Sequence, residues 1–283
     1  MGAKSTGNHP TTTKADGHLL EYFRNSFGEG GGGTQFVAPP GNQGIEATGG
    51  TISDYTQNGT HYRAHIFTTS GSFNVSAVED GNVEYLVVAG GGGGGGGYYG
   101  GGGGAGGVRT NLEGHTLATG NAAFTVAAGQ NYDVVVGAGG RGGLYSGANN
   151  DGSPAEQGSD SRLGPSPSPQ VVIAKGGGKG MGRETSVAGA TAAYPGGSGG
   201  GGAYRTPAVG YGYNPSTPGP ALNAAALPNP YPITQGNNGG FCDGTSEYGS
   251  GGGGAGGVGA DGGGPNNHGG DGGAGTQILI AGP

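Results

Sequence analysis

Apolar residues in this chain fall into a few short runs, separated by long stretches that are neither hydrophobic nor charged but glycine. The first run is Leu19, Phe23 and Phe27, four apart, with Leu20 and Tyr22 beside them. Asp16 stands where an N-cap belongs, so the spacing predicts a short amphipathic helix that Gly28 ends. A helix of that length is not stable alone and needs a surface to order against, either its own domain or another protein. Residues 29–34 read as a linker. From about Ile52 the pattern turns to β. Residues 62–67 and 72–75 flank a turn at 68–71, and 83–89 follows as a strand. Further strands are expected at 124–128, 132–136, 171–174 and 277–281, each short and rich in branched or aromatic residues.

The strands do not end in ordinary loops. Leu86-Val87-Val88-Ala89 runs straight into glycines 90–97, Val134-Val135-Val136 into 137–140, and 171–175 into 176–178. The octamer Gly-Gly-Gly-Gly-Ala-Gly-Gly-Val at 101–108 recurs unchanged at 251–258, which points to a modular architecture. Residues 144–170 and 204–237 hold most of the Pro, Ser and Asn and read as long surface loops.

Composition sharpens this picture. Glycine supplies 78 of 283 residues, hydrophobic residues only 31%, and Trp is absent. Such a chain cannot fill a conventional core of its length. It is either disordered or repetitive, and a net charge of only -7 favours order. Ordering a residue costs about 1–2 kcal/mol, and bare glycine has no side chain to bury in return. One conformation offsets this: an extended threefold helix of about 3.1 Å rise, whose outward N–H and C=O groups bond to neighbouring helices that approach closely because no Cβ intervenes. The expected fold is therefore all-β: a small β-sandwich-like module with a polyglycine II helix bundle and long loops. Gly90, Gly97, Gly101, Gly104, Gly251 and Gly254 mark the helices. Ala105 fits an outer helix, and Tyr98-Tyr99 would lie over the bundle or its edge. The parts are an anchor and linker (1–34), a β module with the first glycine box (35–143), and a loop-rich glycine-helix module (144–283), which could be continuous with it.

Candidate chemistry is thin, and no enzyme is expected. Gly176-Gly177-Gly178-Lys179-Gly180 lacks the Lys-Ser/Thr ending of a phosphate loop. Residues 256–261 match the start of a calcium nonapeptide, but no tandem copies exist. His61 and His65 would share one strand face, a poor start for a metal site. Cys242 is the single cysteine, so no internal disulfide forms, and a small packed residue is its expected role. No cofactor is implied. The acidic balance gives no footprint for nucleic acid. No apolar stretch is long enough to span a membrane and no leader follows Met1, which suggests synthesis in a bacterial cytoplasm. Tyrosines in the loops, including Tyr145, Tyr194, Tyr204, Tyr211, Tyr213, Tyr231 and Tyr248, suit either a contact surface or aromatic lids over glycine helices.

Residues 17–25 (Gly-His-Leu-Leu-Glu-Tyr-Phe-Arg-Asn), 62–68 with 71–75, 83–90, the glycine box at 101–107 and 132–140 together resemble the glycine-rich virion structural proteins of marine tailed phages such as cyanophages. The likeness covers about residues 1–143, and the later glycine boxes more loosely; other phage fibre and adhesin proteins share the organisation. The resemblance implies a non-catalytic virion component: a fibre, tip or surface-projection subunit. It would be anchored on other virion proteins through Leu19, Leu20, Tyr22, Phe23 and Phe27, and homo-oligomeric, with a trimer as the guess from fibres. The alternatives are an adhesin that recognises a host surface receptor through Tyr204, Tyr211, Tyr213 and Tyr231, and a glycine-rich filament or matrix protein.

Overall fold

Most runs of branched and aromatic residues form strands, all of them short. The computed structural model describes residues 44–57, 59–78, 81–118, 123–145, 155–164, 171–182, 195–203, 235–242, 247–263 and 268–280. The chain divides into Met1–Gly44 and Ile45–Pro283, and the strands and glycine runs belong to the second unit. The expected helix at 16–27 and the tyrosines at 204, 211, 213 and 231 lie outside the described residues.

The strands are β1 (Glu46–Thr48), β2 (Thr51–Gln57), β3 (Thr60–Ile66), β4 (Gly71–Ala77), β5 (Asn82–Val83), β6 (Leu86–Val88), β7 (Val108–Thr110), β8 (Phe124–Thr125), β9 (Asn131–Val135), β10 (Ser161–Leu163) and β11 (Val172–Ala174). An antiparallel sheet has the order β1-β4-β9-β10-β11, while β2–β3, β5–β8 and β6–β7 form separate pairs. Val75, Tyr132 and Val172 of the large sheet pack against Tyr85, Phe124 and Val126. Phe124 meets Tyr85 and Tyr132 edge-on, at 6.4 Å and 5.5 Å between ring centroids, the orientation that the ring quadrupoles favour. The fold is all-β, with this small sandwich-like core at its base. Among the described residues the only helical turn is a 3-10 turn, Thr116–Ala118.

The expected turn at 68–71 is a bend at Thr68–Thr69, and it joins strands that do not pair with each other: β3 pairs with β2, and β4 with β1 and β9. Two expectations need correction. The apparent strand 83–89 is broken at Tyr85, whose N–H donates to Asn111 Oδ1 (2.8 Å) while Asn111 Nδ2 donates to the Val83 carbonyl (2.9 Å). That clamp sends β5 and β6 to different partners. Residues 277–280 form no strand. Gln277 and Ile280 instead offer carbonyls to side chains, His115 Nε2 at 3.1 Å and Tyr55 Oη at 2.8 Å.

Above the core the glycine runs form a lattice. Run 89–97 shows its rule. The N–H groups of Ala89, Gly92 and Gly95 donate to Gly107, Gly104 and Gly101 of the antiparallel run 100–107. Those of Gly90 and Gly93 donate to Ser159 and Glu156 of run 155–160, while the Gly90 and Gly93 carbonyls accept from Gly177 and Gly180 of run 175–182. The Gly91 and Gly94 carbonyls accept from Gly140 and Gly143 of run 137–143. Every third residue thus addresses the same neighbour, as a helix with three residues per turn must. Within the described runs, φ is positive only at Gly97, where its run ends, and Gly263 just past the end of another run is positive too.

The bonds order the runs into two tiers. One holds 137–143, 89–97, 100–107, 248–254 and 268–275; the other holds 155–160, 175–182, 195–203, 235–242 and 257–262. Segments expected to be loops contribute to this lattice: run 155–160 and β10 lie within 144–170, and run 235–242 begins within 204–237. The two octamer copies are neighbours lying parallel, with Gly102 N–H donating to Ser250 O and Ala105 N–H to Gly253 O. Close approach explains the composition: a Cβ on Gly90 would overlap the Ala138 carbonyl, and one on Gly106 the Ala89 carbonyl.

Candidate functional site

The strands fix which end of the bundle is which. Runs 89–97, 137–143 and 175–182 leave β6, β9 and β11, and runs 100–107 and 155–160 return to β7 and β10. The far end of run 89–97 therefore stands about 25 Å from the β core at the polyglycine II rise. Tyr98 and Tyr99 make the turn there. Leu144 and Tyr145 follow run 137–143. Tyr248 is at the same level, because run 248–254 lies parallel to run 100–107 and adjoins Gly100.

These rings form a row. Tyr145 and Tyr98 have centroids 5.6 Å apart, Tyr98 and Tyr99 6.2 Å, and Tyr99 and Tyr248 6.5 Å. Tyr99 Oη donates to Glu247 Oε2 at 3.1 Å. Tyr98 and Tyr145 are each 53% exposed, and Leu144 is 70% exposed. Tyr99 has φ 65°, and no other non-glycine among the described residues has positive φ. The sequence marked Tyr145 and Tyr248 as surface tyrosines and Tyr98-Tyr99 as an interruption of the glycine. It gave no sign that the lattice would bring them together.

The expected polyglycine markers occupy lattice positions. Gly101 and Gly104 donate to Met181 O and Gly178 O, Gly251 to Ala260 O and Gly254 to Gly257 O. The Gly90 N–H bonds Ser159 O, and Gly97 ends its run with φ 84°. A few buried side chains tie runs together. Gln235, 1% exposed, accepts the Lys175 N–H through Oε1 (2.7 Å) and donates through Nε2 to Ile173 O (3.2 Å). Its own carbonyl accepts the Val108 N–H, so one residue links β7, β11 and a glycine run. Ser198 Oγ donates to Gly254 O and accepts from the Asn237 N–H. Sequence reading passed over both residues, since neither stands in a recognisable motif.

The weak motifs are absorbed into the fold. The N–H groups of Gly177, Gly178 and Gly180 donate to Gly90, Ser198 and Gly93 carbonyls, which removes them as phosphate donors. Asp261 Oδ1 accepts the Phe241 N–H. His61 and His65 share a face of β3, but Arg63 stands between them in an ion pair with Asp54 (2.7 Å). His61 Nδ1 bonds Thr56 Oγ1, and His65 Nδ1 bonds Gly49 O, both at 2.8 Å. Cys242 is buried, with its Sγ bonded to Tyr248 O. No group of three or more potential metal ligands gathers among the described residues, and no described helix is long and apolar enough to cross a membrane.

No curated protein and no solved structure matches this chain. Residues 68–282 match the family described as Glycine-rich domain. That span takes in β4 and every glycine run of the lattice, and the chain belongs to this glycine-rich domain family.

Proposed function

We propose that the chain is a structural subunit of a phage particle: a fibre, tip or surface projection that joins other virion proteins through residues 1–34. The observation that carries this reading is the threefold-periodic bonding of the runs. It makes a block that is stiff although poor in side chains, held by a β core at one end and closed by turns at the other. Such a block keeps its far end away from whatever holds the base. The resemblance of residues 1–143 to virion proteins supplies the setting. Mass spectrometry of purified particles of the encoding phage should detect the chain, and deletion of residues 1–27 should abolish its incorporation. Particles without the chain would refute the reading.

A receptor-binding adhesin is the second reading. It is favoured by the tyrosines collected at the end opposite the β core. Particles carrying Tyr98→Ala and Tyr145→Ala together should assemble normally and adsorb poorly; normal adsorption would leave the purely structural role.

A further inference from the structure

We propose that the tyrosine row Tyr145-Tyr98-Tyr99-Tyr248, with the Glu247 carboxylate, is a binding platform for a neutral saccharide. This deepens the adhesin reading and rests on it. The first support is a conformational choice made against stability. A non-glycine residue in the left-handed region costs roughly 1–2 kcal/mol. Tyr99 occupies that region in a chain with 78 glycines, immediately before Gly100 and two residues after Gly97, and glycine adopts that region freely. A tyrosine stands where glycine would be less strained, and such strain gathers at functional positions.

The second support is the chemistry of the row. Tyrosine rings have negative faces, and the C–H edges of a pyranose are weakly positive, so sugars stack on exposed aromatic rings. The row offers two half-exposed rings, Tyr98 and Tyr145, 5.6 Å apart and inclined at 33°, flanked by the more covered Tyr99, at 58° to Tyr98, and Tyr248, at 71° to Tyr99. The Glu247 carboxylate can accept hydrogen bonds from sugar hydroxyls. Contacts between neighbouring rings and the Tyr99–Glu247 hydrogen bond restrict the side chains before binding, which lowers the ordering cost.

Other occupants fit less well. A phosphate-bearing partner would meet the Glu247 carboxylate that touches the row. A protein partner of ordinary size covers about 800 Å² per side. Tyrosines bury about 150–250 Å² each when fully covered, and these are already partly covered.

The test is native affinity electrophoresis of the full chain through gels containing neutral glucan, mannan or galactan, with anionic phosphatidylglycerol vesicles as a separate arm. At least one polysaccharide should retard the wild type. Tyr98→Ala and Tyr145→Ala should each weaken retention about tenfold, the loss of one aromatic stack, while Tyr98→Phe retains it. Tyr99→Gly should weaken retention and raise the melting temperature together. A merely structural ring would instead lower the melting temperature and leave retention unchanged. Absence of retardation in every polysaccharide, retention unmoved by the alanine variants, or capture by the vesicles alone would overturn the proposal. The particle-incorporation test stands apart from all of these outcomes.

Discussion

At the scale of single residues, glycine has two distinct situations in this protein. At Gly90 a Cβ would overlap a backbone carbonyl of the next run, whereas at Gly272 it would meet nothing within 4 Å. Gly90→Ala should therefore destabilise by about 1–3 kcal/mol, as overpacking does. Gly272→Ala should stabilise by about 0.4–1 kcal/mol, by restricting the unfolded chain. Thermal unfolding of both variants checks the contrast, and equal effects would mean that the runs are less tightly packed than described. Asp54 gives a pH dependence. Its hydrogen bond and ion pair with Arg63 hold its carboxyl below the usual value of 3.8. A depressed acid stabilises the folded state fully above its unfolded value and loses that contribution as pH falls through the folded one. The β2–β3 hairpin should thus weaken below about pH 4. The effect is small because both side chains are more than half exposed, and Asp54→Asn should abolish it in an NMR titration of hairpin shifts.

At the scale of elements, sequence pattern located most strands but not their partners. Branched and aromatic residues at 62–67 and 132–136 sufficed to place β3 and β9, because such side chains favour strand, even though β3 buries no residue fully. The break at Tyr85 depends on Asn111, a residue 26 positions away, and no local pattern carries that information. Run 155–160 passed for loop because Glu156, Gln157, Ser159 and Asp160 are polar; the lattice uses their backbone and leaves most of their side chains outside. Gln235→Ala should strand the Lys175 N–H and the Ile173 carbonyl, both part-buried, costing about 1–3 kcal/mol, read as a fall in unfolding midpoint. Hydrogen exchange should show the lattice directly. The amides of Gly92, Gly95, Gly104 and Gly107, which donate between runs, should exchange far more slowly than those of Gly91 and Gly94, which offer carbonyls instead. Complete exchange of all of them within seconds would favour a glycine-rich matrix protein.

At the scale of the whole molecule, the bundle and its attachment to strands were legible from the joins at 89–90, 136–137 and 175–176. The tiers were not, since any glycine run can neighbour any other and only the strands and turns decide. The aromatic row was half legible: its residues could be named, but their meeting depends on runs 89–97, 137–143 and 248–254 ending at one level. The three-residue period has a further consequence for how such a gene can change. Adding or removing three residues within a run returns each later N–H and C=O to its former direction. A change of one or two turns them by a third of a circle, toward the wrong neighbour. Reading frame alone would tolerate any whole codon, but this architecture selects steps of nine nucleotides, and length variants arising in its glycine tracts should survive in that rhythm.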